Sequence, residues 1–311
     1  MKADILIAGR MPPNVINQLE EDFVVHPLAE APDPQALLAA VAQRVRGIAT
    51  NAVQGVSTEL LDALPNVEII ASSGIGTDAL QLERARAAGI KVAVTPDVLN
   101  DDVADMAIGL LLAVSRKICL GDRSVRAGRW FDGMGLGSRV TGKRLGILGL
   151  GRIGQALAKR AVAFDMTIGY HQRNRNPNVP YTYFDSVIEL AEFSDFLVVV
   201  VPGGAATEKM INRAVLDALG PDGTLVNVGR GSTVDEPALV EALAEGRIRA
   251  AALDVFADEP NVPPELLTMD NVVLAPHYAS ATLETRLAMG QLVVDNLRAH
   301  FSGRPLLTPA E

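Results

Sequence analysis

The sequence predicts an α/β protein made of two parallel-sheet domains. Short apolar runs alternate with helical patterns along the whole chain, the signature of parallel sheets covered by helices. Its 311 residues suit two domains of ordinary size. A glycine-rich stretch between a strand pattern and a helix pattern, Gly149-Leu150-Gly151-Arg152-Ile153-Gly154, falls in mid-chain, so a folded unit precedes it.

The elements follow in order. In the first domain strands are expected over 5–8, 23–25, 47–50, 67–71 and 91–94, with helices over 15–21, 34–42, 57–63 and 81–87. A long apolar-periodic helix is expected over 100–128, with Asp101 and Asp102 as candidate caps and Gly128 as its stop. The loop Gly133-Met134-Gly135-Leu136-Gly137 leads into the second domain, where six strands are expected over 144–149, 166–170, 196–201, 223–228, 250–254 and 272–275. Six such strands with glycines in the first turn match a doubly wound dinucleotide fold. The last helix, over 282–301, is too long for a simple cap and is expected to cross back. That makes the first domain discontinuous, 1–98 and 284–311, around a second domain of 99–283.

Hydrophobic residues make up 49% and charged residues 21% of the chain, a globular balance that supports a sizeable core. A net charge of -9 without a basic cluster argues against nucleic-acid binding. The single cysteine, Cys119, excludes an intramolecular disulfide and fits a reducing compartment. Its apolar helical surroundings make it a packed core residue rather than a nucleophile. The first residues, 1–7, read as a short strand and not as a signal peptide. No run of about 18 apolar residues suggests a membrane span. The expected location is cytoplasmic, with no membrane partner and no metal.

The glycine run has the strand–turn–helix context of a dinucleotide fingerprint. Gly149 permits the tight turn, Gly151 lets the backbone approach a pyrophosphate, and Gly154 lets helix pack on strand. The helix N-terminus then offers free N–H groups to the pyrophosphate. An NAD site would end the second strand in an acid, about 20 residues past the motif, to bond the ribose 2′-hydroxyl. Here the strand runs into His171-Gln172-Arg173-Asn174-Arg175, with two arginines and no carboxylate. Guanidinium groups suit a 2′-phosphate, so NADP(H) is preferred and NAD(H) admitted. A solvated basic loop is the competing reading.

Other strands also end in chemistry, at the sheet edge where ligands bind. Val199-Val200-Val201-Pro202 is followed by a flexible loop, Gly203-Gly204-Ala205-Ala206-Thr207. Val226-Asn227-Val228-Gly229-Arg230-Gly231 places an arginine between two glycines, able to present a fork to a carboxylate or carbonyl. The strand before Asp254 runs on to Glu259-Pro260, and another ends at Pro276-His277, beside Tyr278-Ala279-Ser280-Ala281-Thr282. Singly, each has a bland reading as a surface ion pair, a cap or a loop histidine. Arg230, Glu259 and His277 at neighbouring strand ends point together to a catalytic set.

These motifs, in this order and over nearly the whole chain, resemble the D-isomer-specific 2-hydroxyacid dehydrogenases. The resemblance rests on 146–154, 227–231, 252–256 with Glu259-Pro260, and Pro276-His277. It implies two Rossmann-like domains, one flavodoxin-like and one dinucleotide-binding. It implies that Arg230, Glu259 and His277 are the catalytic arginine, acid and histidine. It implies that Ser73-Gly74-Ile75-Gly76-Thr77-Asp78 is the substrate loop, where the N–H groups of Ile75 and Gly76 hold a carboxylate. Asp254 matches the residue that orients the nicotinamide carboxamide. Trp130, the only tryptophan, stands near the loop through which related reductases reach a partner's site, and the family is usually dimeric. Asn51, Trp130, Met134, Leu136 and the Tyr278 neighbourhood are expected to set side-chain specificity. Val201, Pro202, Thr207, Val228, Gly229 and Ala279 join the cofactor-binding set. Ala279 departs from the family, which usually has glycine two residues after the histidine, and crowding of the carboxamide is the expected consequence.

The chemistry fits the residue types. Reduction of a 2-keto acid needs a hydride from nicotinamide and a proton for the new hydroxyl. His277 as imidazolium donates that proton, Glu259 orients the ring and favours its charged form, and Arg230 holds the keto-acid oxygens. Arg173 and Arg175, with Val201-Pro202-Gly203-Gly204, resemble the NADPH-preferring glyoxylate/hydroxypyruvate reductase branch. A bulkier keto acid, hydroxyphenylpyruvate or 2-ketogluconate, is the alternative substrate. A nucleotide-sensing corepressor is the alternative class, disfavoured by the intact Arg–Glu–His set.

Overall fold

The computed structural model describes residues 2–130 and 133–310. The chain forms two compact units, Met1–Leu99 with Ser280–Glu311, and Asn100–Ala279.

The first unit runs β1 (Asp4–Ile7), α1 (Pro13–Asp22), β2 (Val24–Pro27), α2 (Pro34–Val41), β3 (Val45–Asn51), α3 (Thr58–Ala63), β4 (Ile69–Ser73), α4 (Leu82–Ala87) and β5 (Lys91–Ala93). Its five strands pair in parallel in the order β2-β1-β3-β4-β5. Side chains alternate between two apolar cores, as a sheet buried on both faces requires. Ile5, Ile7, Ala49 and Ile69 face one core, while Leu6, Ile48 and Ile70 face the other. Asp33 and Ser57 cap α2 and α3 by accepting from Ala36 N and Leu60 N.

The second unit runs α5 (Asn100–Ser115), α6 (Ile118–Arg126), β6 (Arg144–Leu148), α7 (Arg152–Val162), β7 (Thr167–His171), β8 (Thr182–Tyr183), α8 (Val187–Phe193), β9 (Phe196–Val199), α9 (Arg213–Leu219), β10 (Thr224–Asn227), α10 (Glu236–Ala244), β11 (Ala250–Leu253) and β12 (Val272–Leu274). Its parallel sheet has the order β12-β11-β10-β9-β6-β7-β8. Seven strands stand where six were expected. The added one, β8, is two residues long and pairs with β7 through Gly169 and Tyr170. It is too short to leave a periodicity in the sequence. The chain then returns to the first unit as α11 (Leu283–Phe301), whose Val293, Val294 and Leu297 join the core beneath Ile5 and Ile69.

Three expectations need correction. The helix over 100–128 is broken into α5 and α6, with Lys117 at a left-handed φ of 53°. The Ser115 carbonyl accepts Ser138 N at 2.8 Å, and Lys117 Nζ bonds the Met134 carbonyl at 2.5 Å. The connection to β6 thus takes up the Ser115 carbonyl, which a continuous helix would use. Asp101 and Asp102 lie inside the first turn of α5 and not at its cap. Cys119 is exposed on α6 instead of packed. The two compact units change over after Leu99 and after Ala279. Ala279 N is bonded by Asp254 of the second unit, whereas Thr282 already caps α11.

Candidate active site

Parallel register brings the catalytic candidates of the second unit to one edge. β10, β11 and β12 are neighbours, with Asn227 beside Leu253 and Leu253 beside Leu274. The residues that follow these strands, Gly229-Arg230, Asp254 and Pro276-His277, therefore leave the sheet side by side.

Each is held by a specific bond set. The Asn227 amide ties the Arg230 turn at both ends, accepting from Gly229 N at 3.0 Å and donating to the Arg230 carbonyl at 3.0 Å. Thr233 Oγ1 donates to the same carbonyl at 2.5 Å. The flanking glycines are required by close packing. A Cβ on Gly229 would lie 2.7 Å from the Val201 carbonyl oxygen, and one on Gly231 only 1.8 Å from the Phe256 carbonyl carbon.

His277 has a left-handed φ of 53°, uncommon for any residue but glycine. Asp254, fully buried, holds it there. His277 N donates to the Asp254 carbonyl at 2.8 Å, and the Asp254 carboxylate accepts from Tyr278 N at 2.7 Å and Ala279 N at 3.0 Å. Burial raises the Asp254 carboxyl above the ordinary carboxylate range, against those two amide bonds. His277 Nδ1 meets Glu259 Oε2 at 2.7 Å, and Glu259 Oε1 accepts from Phe256 N at 3.1 Å. With Glu259 ionised, Nδ1 is the donor and Nε2 is the atom left to move a proton.

Burial pushes the Glu259 carboxyl up, but the His277 bond and charge, the Phe256 amide and Arg230 outweigh it, so the net shift is downward. A depressed folded pKa adds stability above the unfolded value that is lost as pH falls through the folded one. Glu259→Gln should therefore lower the melting temperature at neutral pH, with the gap to wild type closing in acid. Calorimetry across pH checks this; a gap of constant size would contradict it.

The glycine turn fits a dinucleotide. Gly149 has φ 98°, and a Cβ there would lie 2.9 Å from Val201 Cγ1. Gly154 lies against the Gly149 carbonyl, where a Cβ would stand 2.2 Å away, so α7 meets the turn closely. By contrast, a Cβ on Gly151 would meet nothing within 4 Å, and the start of α7 has neither a side-chain cap nor an acid in its first turn. Open space beside the start of α7 suits a pyrophosphate. Beyond β7, Gly149 N donates to the His171 carbonyl, His171 Nδ1 donates to the Phe184 carbonyl, and Gln172 Oε1 accepts from Leu150 N at 3.1 Å. Arg173 and Arg175 are exposed and form no ion pair among the described residues. Thr207 Oγ1 donates to the Pro202 carbonyl at 2.7 Å, closing the loop after β9. Val228 is buried beside that strand, its N–H on the Val199 carbonyl.

In the first unit, Gly74 follows β4 and is bonded to Thr95 through its N–H (2.8 Å) and its carbonyl. The next two amides, Ile75 and Gly76, donate to no protein group among the described residues. Two adjacent unused N–H groups are available to an anion. Asn51 behaves differently from the substrate contact expected of it. Its Oδ1 accepts from Val53 N and Gln54 N, and its Nδ2 donates to the Arg10 carbonyl and Gln54 Oε1. All four hydrogen-bonding capacities are thus engaged, three within residues 51–54 and one on the loop after β1. Trp130 belongs to the second unit and is 76% exposed, and its neighbours Phe131 and Asp132 lie outside the described residues. Met134 and Leu136 lie on the same connection, and Leu136 is exposed.

Asn227 and Gln172 are the supporting residues that sequence reading passed over. The signal for Asn227 was a buried-strand position followed by Val-Gly-Arg-Gly. For Gln172 it was its place one residue past a strand that lacks the usual acid.

Residues 108–279 match the D-isomer specific 2-hydroxyacid dehydrogenase, NAD binding domain family. The chain is 52% identical over 293 residues to the hydroxyphenylpyruvate reductase of Plectranthus scutellarioides, covering 94% of each chain. It is 49% identical over 294 residues to glyoxylate/hydroxypyruvate reductase A of Arabidopsis thaliana, again covering 94% of each. Among solved structures it resembles the NADPH-dependent glyoxylate/hydroxypyruvate reductase of Sinorhizobium meliloti in complex with NADP and malonate. The TM-score is 0.91 at 45% identity, over 99% of this chain and 97% of that one. With its two parallel-sheet units and its Arg–Glu–His motifs, the chain belongs to the D-isomer-specific 2-hydroxyacid dehydrogenases.

Proposed function

We propose that this protein reduces small 2-keto acids, glyoxylate and hydroxypyruvate among them, with NADPH, and that NADH serves less well. The observation that carries the reading is the His277–Glu259 pair at 2.7 Å, with Arg230 on the neighbouring strand end. When bound, the reduced nicotinamide supplies the hydride for the keto carbon. The protein's own groups do the rest. Ile75 and Gly76 N–H hold the substrate carboxylate, Arg230 polarises the keto oxygen, and His277 Nε2 gives that oxygen its proton. Glu259 holds the imidazolium, and Asp254 keeps the histidine loop in register and would help orient the carboxamide of a bound nicotinamide. In this reading 1–98 with 284–311 is the substrate domain and 99–283 the cofactor domain. Asn51 shapes the substrate loop instead of touching substrate. A homodimer, with the Trp130 connection reaching the partner, and a cytoplasmic location complete the proposal. No helix among the described residues is long and apolar enough to cross a membrane.

The NADPH preference rests on Arg173 and Arg175 standing exposed where an acid would read a ribose hydroxyl. Arg173→Ala with Arg175→Ala should raise KM for NADPH about tenfold, the scale of a lost charged hydrogen bond, and leave KM for NADH near wild type. Absorbance assays with glyoxylate and each cofactor test both claims. Equal loss for the two cofactors would refute the phosphate contact, and no turnover of any 2-keto acid would refute the activity.

A further inference from the structure

The sheet of the first unit changes its winding direction between β1 and β3, its order being β2-β1-β3-β4-β5. Open α/β sheets bind ligands outside the strand ends at such a point. Two loops leave the sheet there, residues 8–12 after β1 and 52–57 after β3. They are closely joined. A Cβ on Gly9 would lie 2.7 Å from Asn51 Nδ2 and 2.9 Å from Asn51 N. Arg10 N donates to Gln54 Oε1 at 2.5 Å, and the Arg10 carbonyl accepts from Asn51 Nδ2 at 3.3 Å. Both peptide groups of Arg10 are therefore fixed. Its guanidinium is exposed and has no hydrogen bond or ion pair among the described residues. Neither loop carries an acid, in a chain whose net charge is -9.

The same turn leads to the substrate loop. Asn51 lies beside Ser73 in the β3–β4 register, and Ala52 N donates to the Ser73 carbonyl at 3.0 Å. Arg10 thus stands two strands from the unused Ile75 and Gly76 amides, about 10 Å by strand spacing. An arginine stem together with the chain of a keto acid longer than glyoxylate spans that gap. We infer that Arg10 is a specificity residue that takes a second carboxylate at the far end of a dicarboxylic 2-keto acid. A planar guanidinium on a fixed backbone suits a carboxylate fork. This inference rests on the proposed reductase activity and on Ile75 and Gly76 holding the first carboxylate.

The test compares substrates of equal chain length with NADPH: oxaloacetate against 2-ketobutyrate, and 2-ketoglutarate against 2-ketovalerate. In the wild type kcat/KM should favour the dicarboxylic member of each pair about tenfold or more, chiefly through KM, as a charged hydrogen bond allows. Arg10→Gln should bring that ratio close to one, and Arg10→Lys should leave it between the two. NADPH fluorescence titration of each variant reports that the fold is kept. A wild-type ratio near one, or a ratio that Arg10→Gln leaves unchanged, overturns the assignment while glyoxylate turnover upholds the activity. Failure of the wild type on glyoxylate overturns both. Should Arg10→Gln not fold, the wild-type ratio and Arg10→Lys decide.

Discussion

Replacing His277 with alanine should lower kcat for keto-acid reduction about 10³-fold, within the range a positioned general acid contributes, while NADPH affinity stays near wild type. The expectation follows from how much structure serves this one ring. Its backbone is left-handed, and three bonds to Asp254 keep it so. Its Nδ1 is fixed by Glu259, whose other oxygen is anchored on Phe256 N. No other histidine can replace it, because His171 belongs to the β7 end and is bonded to the Phe184 carbonyl, while His26 and His300 belong to the first unit and pair with Asp4 and Glu68. Alanine accepts the left-handed backbone no better than histidine does, so His277→Asn, a residue more at ease there, separates chemistry from strain. Steady-state absorbance gives kcat, and fluorescence titration gives cofactor affinity. Turnover within tenfold of wild type in both variants would remove His277 from the mechanism.

The strand ends were legible in the sequence because parallel sheets expose their chemistry at one edge. Val-Asn-Val-Gly-Arg-Gly, Leu-Asp and Pro-His each close an apolar run, and β10, β11 and β12 are adjacent. Periodicity found those runs; it could not find β8, whose two residues carry no period. The break at Lys117 was hidden for a different reason. Its cause is tertiary, a loop carbonyl and amide arriving from Met134 and Ser138, while the local pattern stays helical throughout. The role of Asn51 was also out of reach. Residue type and position both fit a ligand contact, and only its three bonds within the turn and one to the Arg10 carbonyl show that the side chain is already engaged.

Gly231→Ala should cost several-fold more than its single methyl suggests, in both stability and catalysis. A Cβ there would stand 1.8 Å from the Phe256 carbonyl carbon, 2.0 Å from its oxygen and 2.4 Å from Ala257 N. These are backbone atoms, so no rotamer change relieves the clash and one segment must move. The Arg230 side is held by Asn227 and Thr233, and the Phe256 side by Glu259 and, through Ala257 N at 2.8 Å, by Glu236. Overpacking of this kind costs about 1–3 kcal/mol, at times more. Because Phe256 N anchors Glu259, the shift also reaches the His277 pair, and misplacement by about 1 Å can lower kcat about 10²-fold. Gly151→Ala supplies the contrast. A Cβ there meets no protein atom within 4 Å, so the melting temperature should stay at the wild-type value while KM for NADPH rises. Melting curves and cofactor titrations on the two variants distinguish a glycine kept for the protein's own packing from one kept for a ligand. A stable Gly231→Ala enzyme with wild-type kcat would show that the Arg230 and Glu259 segments are not mechanically joined.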